Sequence, residues 1–214
     1  MKKILFFALL ISLSNIHLTQ GQSSTSRFWD GFKLGIKAGA NFSNVYDTQG
    51  EAFKADGKVG FVGGAFLEVP LSDYLGIRPE VLYSQKGFQA SGQYLGMPYS
   101  FTRTTDYIDI PILLTIKPVS MLTINAGPQF SFLMKQKDVF TSTLLSNQQQ
   151  QDFSNDNYRK NLMSITAGIG LNFGIVILDL RANYDLQQNN GDGTTTTPRY
   201  KNAWYQATLG FRII

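Results

Sequence analysis

The sequence predicts an all-β fold, an eight-stranded antiparallel up-and-down transmembrane β-barrel with short periplasmic turns and long extracellular loops. Three observations lead there. Apolar and polar residues alternate with a period of two through eight stretches, which is the repeat of a strand and not of a helix. The connections between these stretches run long, short, long, short to the end of the chain, as in a barrel whose turns and loops lie on opposite sides of a membrane. The polar face is studded with glycines such as Gly35, Gly64, Gly168 and Gly170, whereas the apolar face carries Ile, Leu, Phe and Tyr. An eight-stranded barrel is only just wide enough for its own side chains, so the small residues belong inside and the bulky ones outside.

The N-terminus, MKKILFFALLISLSNIHLTQGQ, sets Lys2 and Lys3 before an apolar run from Ile4 to Leu13, with Thr19 and Gly21 as small residues ahead of Gln22. This pattern predicts a secretory signal peptide over residues 1–21, cleaved after Gly21. The run is shorter than the roughly 20 apolar residues of a membrane-spanning helix. Residues 22–31 then form a short periplasmic lead, and residues 32–214 the barrel domain. Loss of Lys2 and Lys3 lowers the 19 basic residues to 17, against 15 acidic ones. So small an excess offers nucleic acid no basic footprint.

The first strand, Phe32 to Phe42, alternates Leu34, Ile36, Ala38, Ala40 and Phe42 with Lys33, Gly35, Lys37, Gly39 and Asn41. The second, Lys58 to Val69, is less regular, because Val62 and Phe66 fall among Gly60, Gly64 and Glu68. A tight turn, Pro70 to Tyr74, precedes the third strand, Leu75 to Lys86, which sets Leu75, Ile77, Val81 and Tyr83 against Arg78, Glu80, Ser84 and Lys86. Gly87 to Arg103 is expected as a long loop. Its aromatics Phe88, Tyr94, Tyr99 and Phe101 are assigned to the interfacial girdle of such barrels, with contact to a partner as the alternative.

The fourth strand, Thr105 to Lys117, alternates throughout, although Pro111 removes one ladder donor. The fifth, Met121 to Lys135, leads into the longest loop, Gln136 to Lys160. The sixth strand is Leu162 to Phe173. The seventh, Ile175 to Leu186, has the sharpest pattern of all: Val176, Leu178, Leu180, Ala182 and Tyr184 against Asp179, Arg181, Asn183 and Asp185. A charged face on an otherwise greasy strand suits lipid on one side and an enclosed polar space on the other. A loop from Gln187 to Tyr200 precedes the eighth strand, Lys201 to Ile214, with Phe211 near its end. The rival fold, a soluble lipocalin-like barrel, would have to bury the bulky face inside, which volume forbids. Turned outward in water, the same belt would aggregate.

The stretches GGAFLEVPLSDYLGIRPEVLYSQKG (Gly63 to Gly87), YIDIPILLTIKP (Tyr107 to Pro118), INAGPQFSFLMK (Ile124 to Lys135) and ILDLRANYDL (Ile177 to Leu186) resemble the PorT-type outer-membrane β-barrel family of Bacteroidetes. The resemblance spans nearly the whole mature chain. It implies residence in the outer membrane and, by way of the family's founding member, a link to type IX secretion and gliding. It transfers no catalytic residue, because the family has no catalytic motif.

Enzymatic chemistry has little to work with. The chain has no cysteine, and its one histidine, His17, lies in the signal segment. Ser–His and Cys–His nucleophile activation and His/Cys metal sites therefore have no residues to draw on, and no cofactor is expected. Glu68, Glu80, Asp109, Asp179 and Asp185 all fall on polar faces and are expected as lumen charges. The loop acids Asp47, Glu51, Asp56, Asp152 and Asp156 lack calcium-loop spacing. Two function classes follow: a structural or interaction barrel presenting its extracellular loops, and, as the alternative, a narrow transport or ligand-binding barrel. The expected partners are outer-membrane lipid, the barrel-assembly machinery during insertion, and a protein bound through the loops.

The candidate site is a lumen charge cluster. Third and seventh strands stand opposite one another in an eight-stranded barrel and run in the same direction. The order Arg78, Glu80 on one complements Asp179, Arg181 on the other, so Arg78 is expected to meet Asp179 and Glu80 to meet Arg181. Because isolated charges in so narrow a space are costly, the four form a structural plug. Exchange of Arg78 and Asp179 is expected to recover much of the loss caused by either single reversal.

Overall fold

The structure of the chain is a computed structural model. It describes residues 31–46, 54–94, 97–142, 146–151, 159–189 and 200–213. The signal segment 1–21, nearly all of the lead 22–31 and the loop acids Asp47, Glu51, Asp152 and Asp156 lie outside the described residues. The strands are β1 (Lys33–Tyr46), β2 (Lys54–Pro70), β3 (Leu75–Tyr94), β4 (Met97–Val119), β5 (Leu122–Ser142), β6 (Ser146–Gln151), β7 (Asn161–Phe173), β8 (Val176–Asp185) and β9 (Lys201–Arg212).

Eight of these strands close a barrel. Each pairs antiparallel with the next, β4 with β5 and β5 with β7, and β9 returns to β1 through a register that includes Ala40 opposite Ala207. The short β6 stands outside the ring and pairs with β5 alone among the described residues. Followed once round, the registers accumulate a stagger of about ten residues, which for eight strands corresponds to a tilt of roughly 40°.

Burial follows the alternation. Along β8 the pattern is strict: Asp179, Arg181, Asn183 and Asp185 are buried, while Leu180 and Ala182 face out. Ile36 on β1 is 53% exposed and Leu209 on β9 51%, whereas Arg78 is 0% and Glu80 2% exposed. The protein is thus apolar outside and charged inside, the arrangement a bilayer requires and water penalises. Phe32, Tyr74, Phe173 and Phe211 ring the turn end of the outer surface, and Tyr46, Phe61 and Tyr83 lie toward the loop end. These two belts are the aromatic girdles.

Three features depart from the sequence expectation. The Gly87 to Arg103 segment is not a loop: β3 and β4 stay paired from Gly87 opposite Thr104 to Tyr94 opposite Met97. In the Gln136 to Lys160 segment, β5 continues to Ser142, pairs with β4, and turns back into β6. The long connections therefore carry a sheet beyond the barrel wall. Second, Val62, Phe66 and Leu82, at 0%, 2% and 1% exposure, sit in the lumen, so the interior holds apolar bulk as well as charge. Third, Phe88 belongs to no girdle. It is buried inside the loop end of the barrel, and Phe101 packs against it with ring centroids 6.0 Å apart. The side chains of Tyr94 and Tyr99 lie outside the described residues. Pro111 stands in β4 with its ring inward, and the β3–β4 ladder skips the pairs opposite Ile110 and Pro111.

Candidate functional site

The lumen fills in layers. At the turn end, Glu68 of β2 accepts hydrogen bonds from Arg78 Nη2 at 2.7 Å and from Arg212 Nη2 at 3.3 Å. Lys117 Nζ stands 3.8 Å from its other carboxylate oxygen. Arg212 also donates to the Gly174 carbonyl and to Asn172 Oδ1, tying β9 to the β7–β8 turn.

The next layer holds the four residues anticipated from the strand patterns, and the structure brings all four together. Arg78 Nη1 lies 3.2 Å from Asp179 Oδ1. Arg181 donates to Glu80 through both terminal nitrogens, at 2.7 and 2.6 Å, the parallel two-bond geometry that makes an arginine–carboxylate pair strong and directional. Lys37 of β1 completes the cluster, donating to Asp179 Oδ2 at 2.7 Å and to Glu80 Oε1 at 3.2 Å. Together with Glu68 the group holds three cations, Lys37, Arg78 and Arg181, and three anions, Glu68, Glu80 and Asp179, with Lys117 and Arg212 as two further cations beside Glu68 at its edge. All six side chains are buried. Buried charges are costly unless paired, and each of these six has at least one ion partner in the cluster.

Small residues on the neighbouring strands make room for it. Gly168 and Gly170 of β7 stand opposite Arg181 and Asp179. A Cβ at Gly170 would lie 2.7 Å from Asp179 Oδ1, and one at Gly168 would lie 2.8 Å from Arg181 Cγ. Gly64 of β2 is the register partner of both Lys37 and Leu82, so β2 presents no side chain directly opposite Lys37. Gly35 and Gly210 flank the Phe66 ring, where a Cβ at Gly35 would overlap it. That ring supports Lys37 Nζ at 5.8 Å and Arg78 Cζ at 5.6 Å from its centroid, within cation–π range.

Toward the loops the lumen turns to neutral donors, then aromatic. Asn41 donates to Ser84, and Thr166 Oγ1 pairs with Asn183. Lys86 Nζ binds Asp109 at 3.1 Å and Ser131 at 3.3 Å, and sits 3.8 Å from the Trp204 ring centroid and 4.7 Å from that of Tyr107. Asp185 accepts from Ser164 Oγ at 2.6 Å and Asn202 Nδ2 at 2.7 Å. Above them Val45, Phe88, Tyr107, Leu133, Leu162 and Tyr200 form one apolar cluster across the outer mouth. Phe88 and Tyr200 meet edge to face at 5.3 Å. Arg103 caps the cluster, gripping Asp138 at 2.8 and 2.6 Å and donating to the Tyr200 hydroxyl at 3.0 Å.

Sequence reasoning placed Glu68 in the lumen but not in this cluster, and it left Lys37 as one polar-face lysine among others. The available signal was Gly64, whose small size opposite Lys37 marks a crossing point for a long side chain. The inner aromatic cluster has no counterpart in the sequence reading, because Val45, Phe88 and Tyr200 fall in segments read as loops, while Tyr107, Leu133 and Leu162 fall in strands whose polar face is expected to line the lumen. No group of three or more His, Cys, Asp or Glu suited to a metal occurs among the described residues.

A closed eight-stranded barrel, apolar outside and interlocked by charge inside, defines an integral outer-membrane protein. Residues 20–189 match the family described as outer membrane protein beta-barrel domain, and the chain belongs to that family. Among solved structures, Ail, the attachment invasion locus protein of Yersinia pestis, is similar at 12% identity with a TM-score of 0.51, over 86% of this chain and 99% of that one. Neisserial surface protein A is also 12% identical, with a TM-score of 0.48, over 86% of this chain and 100% of the other. At that identity the likeness to Ail shows the fold alone. No curated protein matches the chain.

Proposed function

We propose that this is a non-enzymatic outer-membrane barrel of the PorT type, whose projecting sheet is an interaction surface and which serves as an accessory of secretion or gliding machinery. The observation that carries the reading is the contrast between the lumen and the loops. The interior is filled with ion pairs from Glu68 to Asp109, with Asp185 held by hydrogen bonds from Ser164 and Asn202, and is capped by the Phe88–Tyr200 cluster, whereas β3, β4 and β5 continue as a paired sheet well beyond the wall. Material invested outside the membrane, above a filled bore, suits contact better than passage. Lumen carboxylates committed to ion pairs or, at Asp185, to neutral hydrogen bonds, in a mature chain without histidine or cysteine, also suit a role other than catalysis. A signal peptide over residues 1–21 would deliver the chain to the periplasm, and the assembly machinery would insert it.

Shortening the β3–β4 hairpin to a tight turn, by removing residues 90–101, tests the reading. The truncated barrel should still insert and migrate heat-modifiably, but secretion and gliding should fall to the level of a gene deletion. Full secretion and gliding by the inserted, truncated barrel would reject the interaction role of this sheet.

A further inference from the structure

The outer wall carries a groove unrelated to the lumen. It has a volume of about 470 Å³ and crosses β7, β8, β9 and β1 on the lipid-facing side, reaching Val59 of β2. Its floor is made by Ala40, Ala167, Ala182 and Ala207, and its walls rise at Phe42 and Tyr205. The registers set these in neighbouring rows: Ala40 faces Ala207, Phe42 faces Tyr205, and Tyr205 faces Ala182, which faces Ala167. Tyr205 is 69% exposed, so it stands out from the wall as a ridge.

The second observation is the charge above this groove. On the outward-facing positions of β7, β8, β9 and β1, Lys201 is the only charged side chain. It lies toward the loop end, four residues from Tyr205 on the same face, or about 13 Å along the strand. Its ammonium sits 5.6 Å from the Tyr184 ring centroid, and Tyr184 meets Tyr46 edge to face at 6.2 Å. A cation framed by two tyrosines at the outer rim, above an apolar trough, matches a molecule with phosphate at the surface and an acyl chain below. The outer leaflet of an outer membrane is built of phosphorylated glycolipid.

We infer that this face seats one phosphorylated glycolipid of the outer leaflet, with an acyl chain in the groove over Ala40 and Ala207 and a phosphate on Lys201. The site gives the barrel a preferred lipid neighbour on its β7–β1 side.

Native mass spectrometry on protein purified from outer membranes in mild detergent, and titrated with diphosphorylated hexa-acyl lipid A, tests this. One lipid A should bind per protein. Lys201→Gln should weaken binding about fivefold, the worth of one lysine near an anionic headgroup. Ala207→Leu, which fills the groove, should weaken it as well. Ala38→Leu, outward on β1 but outside the groove, should leave it unchanged, and so should Ala207→Gly, which keeps the test open if the leucine variant does not fold. Lipid A stripped of its phosphates should bind like the Lys201→Gln case. Equal binding by wild type, Lys201→Gln and Ala207→Leu would overturn the proposal. So would equal binding of phosphatidylglycerol, or a dimer that Ala207→Leu disperses.

Discussion

Arg181 of β8 meets Glu80 of β3 through two parallel hydrogen bonds of 2.7 and 2.6 Å, spanning the lumen between strands 101 residues apart in sequence. Both groups are buried and each has further ion partners: Asp179 for Arg181, and Lys37 for Glu80. Removing one member leaves an opposite charge buried without its best partner. Arg181→Ala should therefore destabilise the barrel by about 3–5 kcal/mol, the usual cost of breaking a buried pair. Urea unfolding of protein refolded in lipid vesicles checks this, and a loss below about 1 kcal/mol, typical of exposed pairs, would contradict it.

Neutral substitutions at the two positions should be coupled. In a cycle of Glu80→Gln, Arg181→Gln and the double variant, the double should lose less than the two singles together, by about 1–3 kcal/mol. Additive losses would mean that the two side chains do not act as a pair.

The exchange of Arg78 and Asp179, by contrast, should not rescue. Seen from the strand patterns alone the two form an isolated couple, but the structure corrects that view. Arg78 also binds Glu68, and Asp179 also binds Lys37 and Arg181. The exchange would put an aspartate beside Glu68 and an arginine beside two cations. Its stability should fall at or below that of the worse single reversal, as refolding yield and urea midpoint would report.

These cases mark what the sequence made legible. Arg78, Glu80, Asp179 and Arg181 could be paired because each couple lies two residues apart on one strand, and strands four places apart face each other in a barrel of eight. Lys37 escaped because its reach depends on register: it crosses β2 at Gly64, and that alignment comes from the stagger of the ring. Val62, Phe66 and Leu82 escaped because alternation separates lipid from lumen only while the lumen is polar. Room for Phe66 is set by Gly35 and Gly210 on other strands. The projecting sheet was hidden for a different reason. Strands paired outside the barrel wall answer to hydrogen bonding across a hairpin and not to a lipid–lumen divide, so Gly87 to Arg103 lacks the long apolar alternation of the wall strands.

Phe88 separates the two readings of the loop aromatics. As part of the inner cluster with Tyr107, Leu133 and Tyr200, its truncation to alanine should cost about 3–5 kcal/mol. A girdle residue at the bilayer surface would lose far less. Unfolding of Phe88→Ala beside Phe61→Ala, a true outer-surface residue at 53% exposure, makes the comparison, and equal losses would return Phe88 to the girdle.

Gly170 offers a test of crowding. A valine there would drive its branches into the space taken by Asp179, against which even a Cβ would stand only 2.7 Å from the carboxylate. Gly170→Val should abolish heat-modifiable folding, whereas Gly174→Asn, in the β7–β8 turn at φ 62°, should be tolerated, because asparagine accepts the left-handed conformation.

The central claim is that the charged face of each strand points inward and the apolar face meets lipid. The chain contains no cysteine, so single-cysteine variants can be spin-labelled one at a time along β8, from Leu178 to Tyr184, in protein reconstituted into lipid vesicles. Accessibility to oxygen, which concentrates in lipid, should peak at 178, 180, 182 and 184 and drop at 179, 181 and 183. A flat profile, or one with its peaks at 179, 181 and 183, would contradict the account.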